Sequence, residues 1–252
     1  MQRIKQISIC CLLAIIVSTF AFGQATESQQ ETQRLARVAQ TADLDGRHDD
    51  AIKAYETIAI IAKSSPDTAA DALLRAGGIY MSLGRFENAA DSFRRAIVFN
   101  PRSAAAHNDL GEALGELKNY QAALASFQQA VNLDGHYVRA RYNMGVTYER
   151  LGQTRYAEFV YRILIRDHPD FPLAYDSLAV TLSKSGRARE AIAFHQKAIS
   201  LDPRDPSFYY NSAISYLMIG DVKNAQAEKL QLEKLDPAMA EHLAVMIGRK
   251  QN

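Results

Sequence analysis

Residues 76–101 read AGGIYMSLGRFENAADSFRRAIVFNP, and this stretch decides the fold of the chain. It contains two runs of apolar residues at helical spacing, one on each side of Gly84. The first run includes Tyr80 and the second includes Phe93. Pro101 ends the second run, because proline lacks an N–H donor and pushes the residue before it out of the helical region. The stretch therefore predicts a helical hairpin.

The same pattern recurs every 34 residues along the chain. A single hairpin cannot bury its apolar stripe, so copies of it on either side are what a stable fold requires. Two series of matching positions are Tyr80, Leu114, Tyr148, Leu182 and Tyr216, and Ala89, Ala123, Ala157, Ala191 and Ala225. Two positions break the pattern, both in the third copy: Lys118 replaces a turn glycine and Gly135 replaces a terminal proline.

These residues resemble the tetratricopeptide repeat. That family has small residues at repeat positions 8, 20 and 27, large residues at positions 4, 7, 11 and 24, and proline at position 32. With Ala70 as position 1, the first regular hairpin matches at Leu73, Gly77, Tyr80, Ala89, Phe93, Ala96 and Pro101. The resemblance implies an all-α fold: a right-handed superhelical solenoid of antiparallel helix pairs, with about six repeats and a C-terminal capping helix.

The predicted organisation has four parts. A signal peptide covers residues 1–23, and a flexible polar tether covers 24–31. The six repeats cover 32–69, 70–103, 104–137, 138–171, 172–205 and 206–239, and the first is degenerate and four residues longer than the others. The capping helix covers 240–252, and its deletion is expected to expose an apolar face and cause aggregation.

The N-terminal segment has the layout of a secretory signal. Arg3 and Lys5 precede an apolar run over 7–22, and cleavage is expected after Gly23, or alternatively after Ala25. The run is shorter than the roughly 20 residues that a membrane span needs. An uncleaved N-terminal membrane anchor is the alternative. Export to the periplasm or the extracellular space is the predicted location.

Cleavage would remove every cysteine from the chain. Cys10 and Cys11 are the two cysteines, so the mature chain would have neither a disulfide nor a thiol nucleophile. Without Arg3 and Lys5, the 29 basic residues become 27 against 28 acidic ones, a net charge of −1. This balance does not favour nucleic acid as a partner.

The repeats depart from the family at position 4, where tryptophan is common. This chain has Leu73, His107, Arg141, Tyr175 and Tyr209 there. Arg141 is expected to weaken the packing of its repeat. His107 and His195 occupy positions for large residues and are expected to be packed imidazoles.

The family resemblance also implies a binding surface. In such arrays the first helices of successive repeats line a concave groove, and positions 2, 5, 6, 9, 12 and 13 face it. Carried over residue by residue, the candidate peptide-binding groove comprises Arg75, Asn108, Asp109, Arg139, Tyr142, Asn143, Asp176, Ser177, Tyr210 and Asn211. Asparagine amides both donate and accept hydrogen bonds, as an extended peptide requires. The complete set of the family's carboxylate clamp is missing, because Arg139 and Asn143 are isolated pieces of it.

Catalysis and metal binding find little support in the sequence. It has no phosphate-binding glycine loop, GxSxG turn or HExxH helix, and its six histidines lack the short spacing of a zinc site. No cofactor or metal is therefore expected, and the chain is not expected to be an enzyme. The predicted function is a non-catalytic adaptor or assembly factor of the cell envelope that binds a protein or peptide, with possible membrane-associated partners. The alternatives are a structural protein that self-associates as a homo-oligomer and a docking subunit of an envelope enzyme complex.

Overall fold

A computed structural model describes residues 27–251, and all the secondary structure in that range is helical. The predicted signal peptide and residues 24–26 of the tether lie outside the described residues. The helices are α1 (27–44), α2 (His48–Ile61), α3 (Pro66–Ser82), α4 (Phe86–Phe99), α5 (Ala104–Glu116), α6 (Tyr120–Leu133), α7 (Val138–Arg150), α8 (Thr154–Asp167), α9 (Pro172–Lys184), α10 (Ala188–Leu201), α11 (Pro206–Met218), α12 (Val222–Leu235) and α13 (Pro237–Gln251).

The second helix of each regular repeat has the same length and the same starting position. Helices α4, α6, α8, α10 and α12 each contain 14 residues. They begin at Phe86, Tyr120, Thr154, Ala188 and Val222, at the 34-residue period of the sequence. The predicted all-helical fold is thus confirmed, and the register of the sequence reappears in the helix starts.

The helices form two compact units. The first ends at Leu117 and contains α1 to α5, and the second begins at Lys118 and contains α6 to α13. The apolar core of the first unit includes Ala51, Leu73 and Ala76. The boundary between the units falls in the third repeat, at the residue that breaks the glycine pattern of the turns.

Two segments differ from the sequence prediction. Residues 27–31 belong to α1, where the sequence predicted a flexible tether. This correction has a physical cause, because Ser28 Oγ donates a hydrogen bond to the carbonyl of Ile61, 3.2 Å away, and so ties this end of α1 to α2. The C-terminal helix begins at Pro237, three residues before the predicted start of the capping helix, since proline is favoured at the first helical position.

The turns inside the repeats explain the periodic glycines. Gly84, Gly152, Gly186 and Gly220 all have φ between 68° and 80°, in the left-handed region. Each ends a helix in a Schellman arrangement: the N–H of the next residue donates to the carbonyl five residues earlier, as from Gln153 to Tyr148 at 2.8 Å. Lys118 has φ of 59°, so it adopts the left-handed backbone conformation although it is not glycine.

Small residues at position 8 allow the aromatic side chains of the following helix to pack closely. A Cβ placed on Gly77 would come within 3.0 Å of the Phe93 ring, and one on Gly145 would come within 3.0 Å of the Tyr161 ring. Phe93 and Tyr161 are both fully or almost fully buried. The predicted role of these small positions, close approach of two helices, therefore matches the structure.

The polar residues at position 4 are bonded rather than poorly packed. Arg141 donates to Asp167 Oδ2, at 2.7 Å, and to the carbonyl of Gly135. The other three polar residues at this position bond the carbonyl six residues earlier: His107 to Pro101 at 3.2 Å, Tyr175 to Pro169 at 3.1 Å and Tyr209 to Pro203 at 3.1 Å. Arg141 therefore joins its helix to the preceding turn, instead of weakening the packing there.

Candidate functional site

The first helices of the second unit are neighbours in chain order, with α7 next to α9, α9 next to α11, and α11 next to α13. Side chains at positions 5 and 6 join these helices. The Tyr142 hydroxyl lies 3.2 Å from Ser177 Oγ, Asn211 Nδ2 donates to Asp176 Oδ2 at 2.8 Å, and the Tyr210 hydroxyl lies 2.7 Å from His242 Nδ1. We call the surface that α7, α9 and α11 present at positions 2, 5, 6, 9, 12 and 13 the first-helix face.

Tyr142 is fixed by aromatic contacts as well as by Ser177. Its ring meets Phe171 edge to face, with centroids 5.7 Å apart, and it lies 6.1 Å from the Tyr161 ring. Burial raises the pKa of Tyr142 above its usual value of 10.0, so the hydroxyl is neutral at physiological pH. Tyr142 therefore contributes a rigid, partly exposed aromatic surface with a hydrogen-bonding hydroxyl.

Asp176 and Asn211 bond each other, which the sequence prediction did not foresee. The Asp176 side chain is buried, and its second oxygen accepts from His195 Nδ1 at 2.7 Å. The amide nitrogen of Asn211 is thus committed to a neighbouring repeat, although the sequence assigned it to a peptide ligand. Their proximity follows from position 5 of one repeat facing position 6 of the next.

His195 lies at the centre of a buried polar chain. Its Nε2 lies 3.0 Å from Ser215 Oγ, and Ser215 Oγ lies 2.7 Å from Ser183 Oγ. Because the Asp176 carboxylate accepts, Nδ1 of His195 donates to it. The ring is fully buried, so the prediction of a packed imidazole is confirmed for His195.

The order Asp176, His195, Ser215 resembles a hydrolase triad in its distances but differs in its surroundings. Ser215 is only 1% exposed and lies inside α11. The N–H groups of a helix interior are bonded within the helix, so they offer no donors to a developing oxyanion. We therefore interpret this buried series of hydrogen bonds as a structural link between α9, α10 and α11.

The candidate residues of the first unit lie in a different setting. Arg75 is exposed, donates to Asp71 at 2.9 Å, and lines a pocket of about 320 Å³ with Asp43 and Tyr55. Asn108 is 0% exposed, and its amide nitrogen donates to Glu112 at 2.9 Å. A ligand cannot reach Asn108 in this state, so its assignment to an open groove is corrected.

The remaining candidates differ in accessibility. Asp109, in the first unit, is half-buried, and its Oδ1 accepts from the Asn108 amide at 3.1 Å. In the second unit, Arg139 is exposed, whereas Asn143 and Ser177 are half-buried. The structure thus joins Tyr142 to Ser177 and Asp176 to Asn211, and it pairs Tyr210 with a residue outside the predicted set.

A pocket that the sequence analysis missed lies at the end of the first-helix face. It has a volume of about 300 Å³ and is lined by Ile214, Leu217, Met218, Met246 and Arg249; we call it the C-terminal pocket. Ile214, Leu217 and Met218 occupy positions 9, 12 and 13 of the last repeat. The signal was present in the sequence, because these three positions are all apolar in this repeat alone. At position 13 the other repeats have Ser82, Glu116, Arg150 and Lys184.

Residues 27–251 contain neither a candidate membrane span nor a candidate metal site. No helix in this range combines the length and the apolar character needed to cross a membrane. In the same range, no three histidine, cysteine, aspartate or glutamate side chains are grouped so that they could hold a metal ion.

Profiles of one family match along most of the regular array. Those described as "TPR repeat" match residues 77–118 and 114–152, and those described as "Tetratricopeptide repeat" match 139–170, 174–207 and 196–227. The chain is also 29% identical over 153 residues to the BBSome complex member BBS4 of Xenopus tropicalis, a match that covers 61% of this chain and 30% of that protein. It spans about a fifth to a third of the length of such curated relatives.

Solved structures give matches that cover most of both chains. The structure of PilW, a widely conserved type IV pilus biogenesis factor, is 25% identical with a TM-score of 0.68 and covers 82% of this chain and 94% of its own. The MamA structure is 28% identical with a TM-score of 0.61 and covers 70% of this chain and 94% of its own. The helix pairs, their period and these matches agree: the chain belongs to the tetratricopeptide repeat family, whose stacked helix pairs are protein-interaction scaffolds.

Proposed function

We propose that this protein is a non-catalytic adaptor or assembly factor of the cell envelope, and that it binds an extended or helical segment of a partner protein along the first-helix face. The observation that carries the proposal is the mixed character of that face in the second unit. Tyr142 offers a fixed aromatic ring, Leu173 is an exposed apolar side chain on α9, and the C-terminal pocket follows at α11 and α13. Aromatic side chains such as tyrosine supply much of the energy of protein binding, and the contacts around them exclude water.

The buried bonds behind this face make it a rigid surface. Asp176, His195 and Asn211 join three helices through bonds of 2.7 Å and 2.8 Å. A surface that is ordered before binding loses little conformational entropy when a partner binds. Rigid repeats are therefore suited to binding a partner segment without catalysing a reaction.

The envelope location rests on the N-terminal sequence and on one relative. Residues 1–23 have the charge and apolar pattern of an export signal. PilW is described as a pilus biogenesis factor, and an assembly role for this chain is proposed by analogy with it.

Affinity capture from an envelope extract tests the proposal. It compares variants of the first-helix face with variants of exposed residues on the second helices of the same unit. The chain from Gln24 onward is the bait, beside a variant with Leu173→Ser and Val180→Ser on α9, at positions 2 and 9 of the repeat, where Leu173 is exposed and Val180 is half-buried. The matched control has Phe159→Ser on α8 and Leu230→Ser on α12, two exposed apolar residues of the second helices. We expect the α9 variant to lose the partner and the control to retain it.

Circular dichroism of each variant establishes that it is still helical. Loss of the partner from the control but not from the α9 variant would move the binding site to the second helices. If each bait captured only copies of itself, the protein would be a self-associating structural component and the adaptor proposal would be wrong.

A further inference from the structure

The C-terminal pocket has a size that limits its ligand. Ligand sites in proteins usually measure about 300–1,000 Å³, and this pocket, at about 300 Å³, is at the lower limit. It therefore suits one or two side chains of a peptide rather than a whole cofactor. Its position at α11 and α13 continues the first-helix face.

The lining of the pocket is apolar and adaptable. Ile214 and Leu217 form an aliphatic wall, while Met218 and Met246 contribute thioether side chains. Methionine is unbranched and polarisable, so it adjusts to side chains of different shape. Met218 is 50% exposed, and a ligand side chain would bury apolar surface that now faces water.

Arg249 adds a positive charge to this apolar lining. Its side chain is exposed, and a guanidinium presents a planar set of donors that matches a carboxylate. Tyr210 and His242, which join α11 to α13, already bond each other: their rings stack with centroids 5.9 Å apart and they share a hydrogen bond. Arg249 is therefore the group of the lining that is suited to a charged partner.

We infer that the C-terminal pocket binds a large apolar side chain of a partner peptide, and that Arg249 binds the carboxylate of an acidic residue next to it. The apolar lining selects the first feature and the guanidinium selects the second. This inference rests on the proposed function, because it assigns a sequence preference to the same first-helix face.

Methyl NMR of the chain from Gln24 onward tests this preference directly. The protein carries ¹³C-labelled methionine methyl groups, and the probe is the synthetic peptide acetyl-Gly-Ser-Leu-Glu-Ser-Gly-amide. We expect the methyl signals of Met218 and Met246 to shift on titration. The signal of the buried Met144 on α7 should stay in place and serves as the internal reference.

Two altered probes separate the apolar and the acidic contributions. Replacing leucine with alanine in the probe should weaken binding by about tenfold or more, because burial of the side chain is lost. Replacing glutamate with glutamine should weaken it by about threefold, as expected for an ion pair at the surface. In the Arg249→Gln variant, the glutamate and glutamine probes should bind equally.

The outcomes distinguish this inference from the proposed function. If Met218 and Met246 do not respond, or if the alanine probe binds as well as the leucine probe, the inference is wrong. If the parent protein binds the glutamate and glutamine probes with equal affinity while the α9 variant loses the captured partner, the adaptor function stands and the role of Arg249 is rejected. If the probe binds but the α9 variant still captures the partner, the C-terminal pocket is a peptide site and the proposal that the partner binds along the whole first-helix face is wrong.

Discussion

At the scale of single residues, four side chains of three types perform one task at position 4. His107, Arg141, Tyr175 and Tyr209 each donate a hydrogen bond to the carbonyl six residues earlier. What the four have in common is a long side chain with a donor near its tip, not a shared shape. These hydrogen bonds join the start of each helix to the turn that precedes it.

Neighbouring glycines in α3 offer a matched test of close packing. Gly77→Ala would place its Cβ within 3.0 Å of the buried Phe93 ring, whereas a Cβ at Gly78 meets no atom within 4 Å. We expect Gly77→Ala to destabilise the fold by about 1–3 kcal/mol through overpacking. Gly78→Ala should stabilise it by about 0.5–1 kcal/mol, because alanine is the better helix former. Urea unfolding followed by circular dichroism measures both, and equal effects would contradict the packing role of Gly77.

Asp167 gives the second unit a pH dependence with a definite sign. Hydrogen bonds from Arg166 and then from Arg141 lower the pKa of Asp167 from 3.8 to about 2. A carboxyl with a lowered pKa stabilises the fold above pH 3.8, and this contribution is lost as the pH falls towards 2.

The variant Asp167→Asn should therefore have a lower melting temperature at neutral pH. Its stability should also fall less steeply than that of the parent between about pH 4 and pH 2. Thermal unfolding over this range is the measurement. Parallel pH profiles for the two proteins would show that the two arginines do not favour the ionised carboxyl.

At the scale of elements, the turn between α5 and α6 is the exception among the regular repeats. Lys118 has φ of 59° where the corresponding residues are Gly84, Gly152, Gly186 and Gly220. An L-residue pays a steric penalty of about 1–2 kcal/mol in this region because its Cβ approaches the following carbonyl oxygen. Lys118→Gly should therefore stabilise the protein by about 1 kcal/mol, despite the greater freedom of glycine in the unfolded chain.

The reverse substitution in the next turn is the matched comparison. Gly152→Lys places lysine at φ of 70°. It should destabilise the protein by a similar free energy and so lower its melting temperature. Differential scanning calorimetry measures both variants. A lower melting temperature for Lys118→Gly would mean that the lysine side chain stabilises the turn by more than its backbone costs.

At the scale of the whole molecule, α13 covers apolar surface of the last repeat. Leu243 and Ile247 pack in one core cluster with Ala213 and Leu217. Leu243 is 0% exposed and Val245 is 52% exposed, so two residues of one helix provide a test and its control. Leu243→Ala should destabilise the fold by about 2–5 kcal/mol, and Val245→Ala should have little effect. Similar melting temperatures for the two variants would show that α13 does not stabilise the last repeat by covering its apolar surface.

The sequence predicted the helix pairs and their period because both depend on local pattern. Apolar spacing, turn glycines and terminal prolines are each readable within one repeat, as in residues 76–101. The tether prediction failed over 27–31 because a polar segment can still extend a helix that is held at one residue, here by the bond from Ser28 to Ile61. That bond joins residues that no local pattern relates.

The candidate site was predicted less well, because it depends on partners in neighbouring repeats. Asp176 and Asn211 were both assigned to the peptide-binding groove, yet their side chains bond each other. Burial of Asn108 likewise depends on packing rather than on its own position in the repeat. The C-terminal pocket had a sequence signal, but it appears only when positions 9, 12 and 13 are compared between repeats.

The constant spacing of the helix starts from Phe86 to Val222 has a consequence for how such a gene can change. Unequal recombination that adds or removes one whole period keeps every helix in frame with its neighbours. The contacts between adjacent copies are then re-formed by the new neighbour, provided that its facing side chains match. The bond between Asp176 and Asn211 needs a carboxylate in one copy and an amide in the next, so it would resist shuffling. The two copies that contain Asp176 and Asn211 should therefore diverge as a linked pair rather than as independent units.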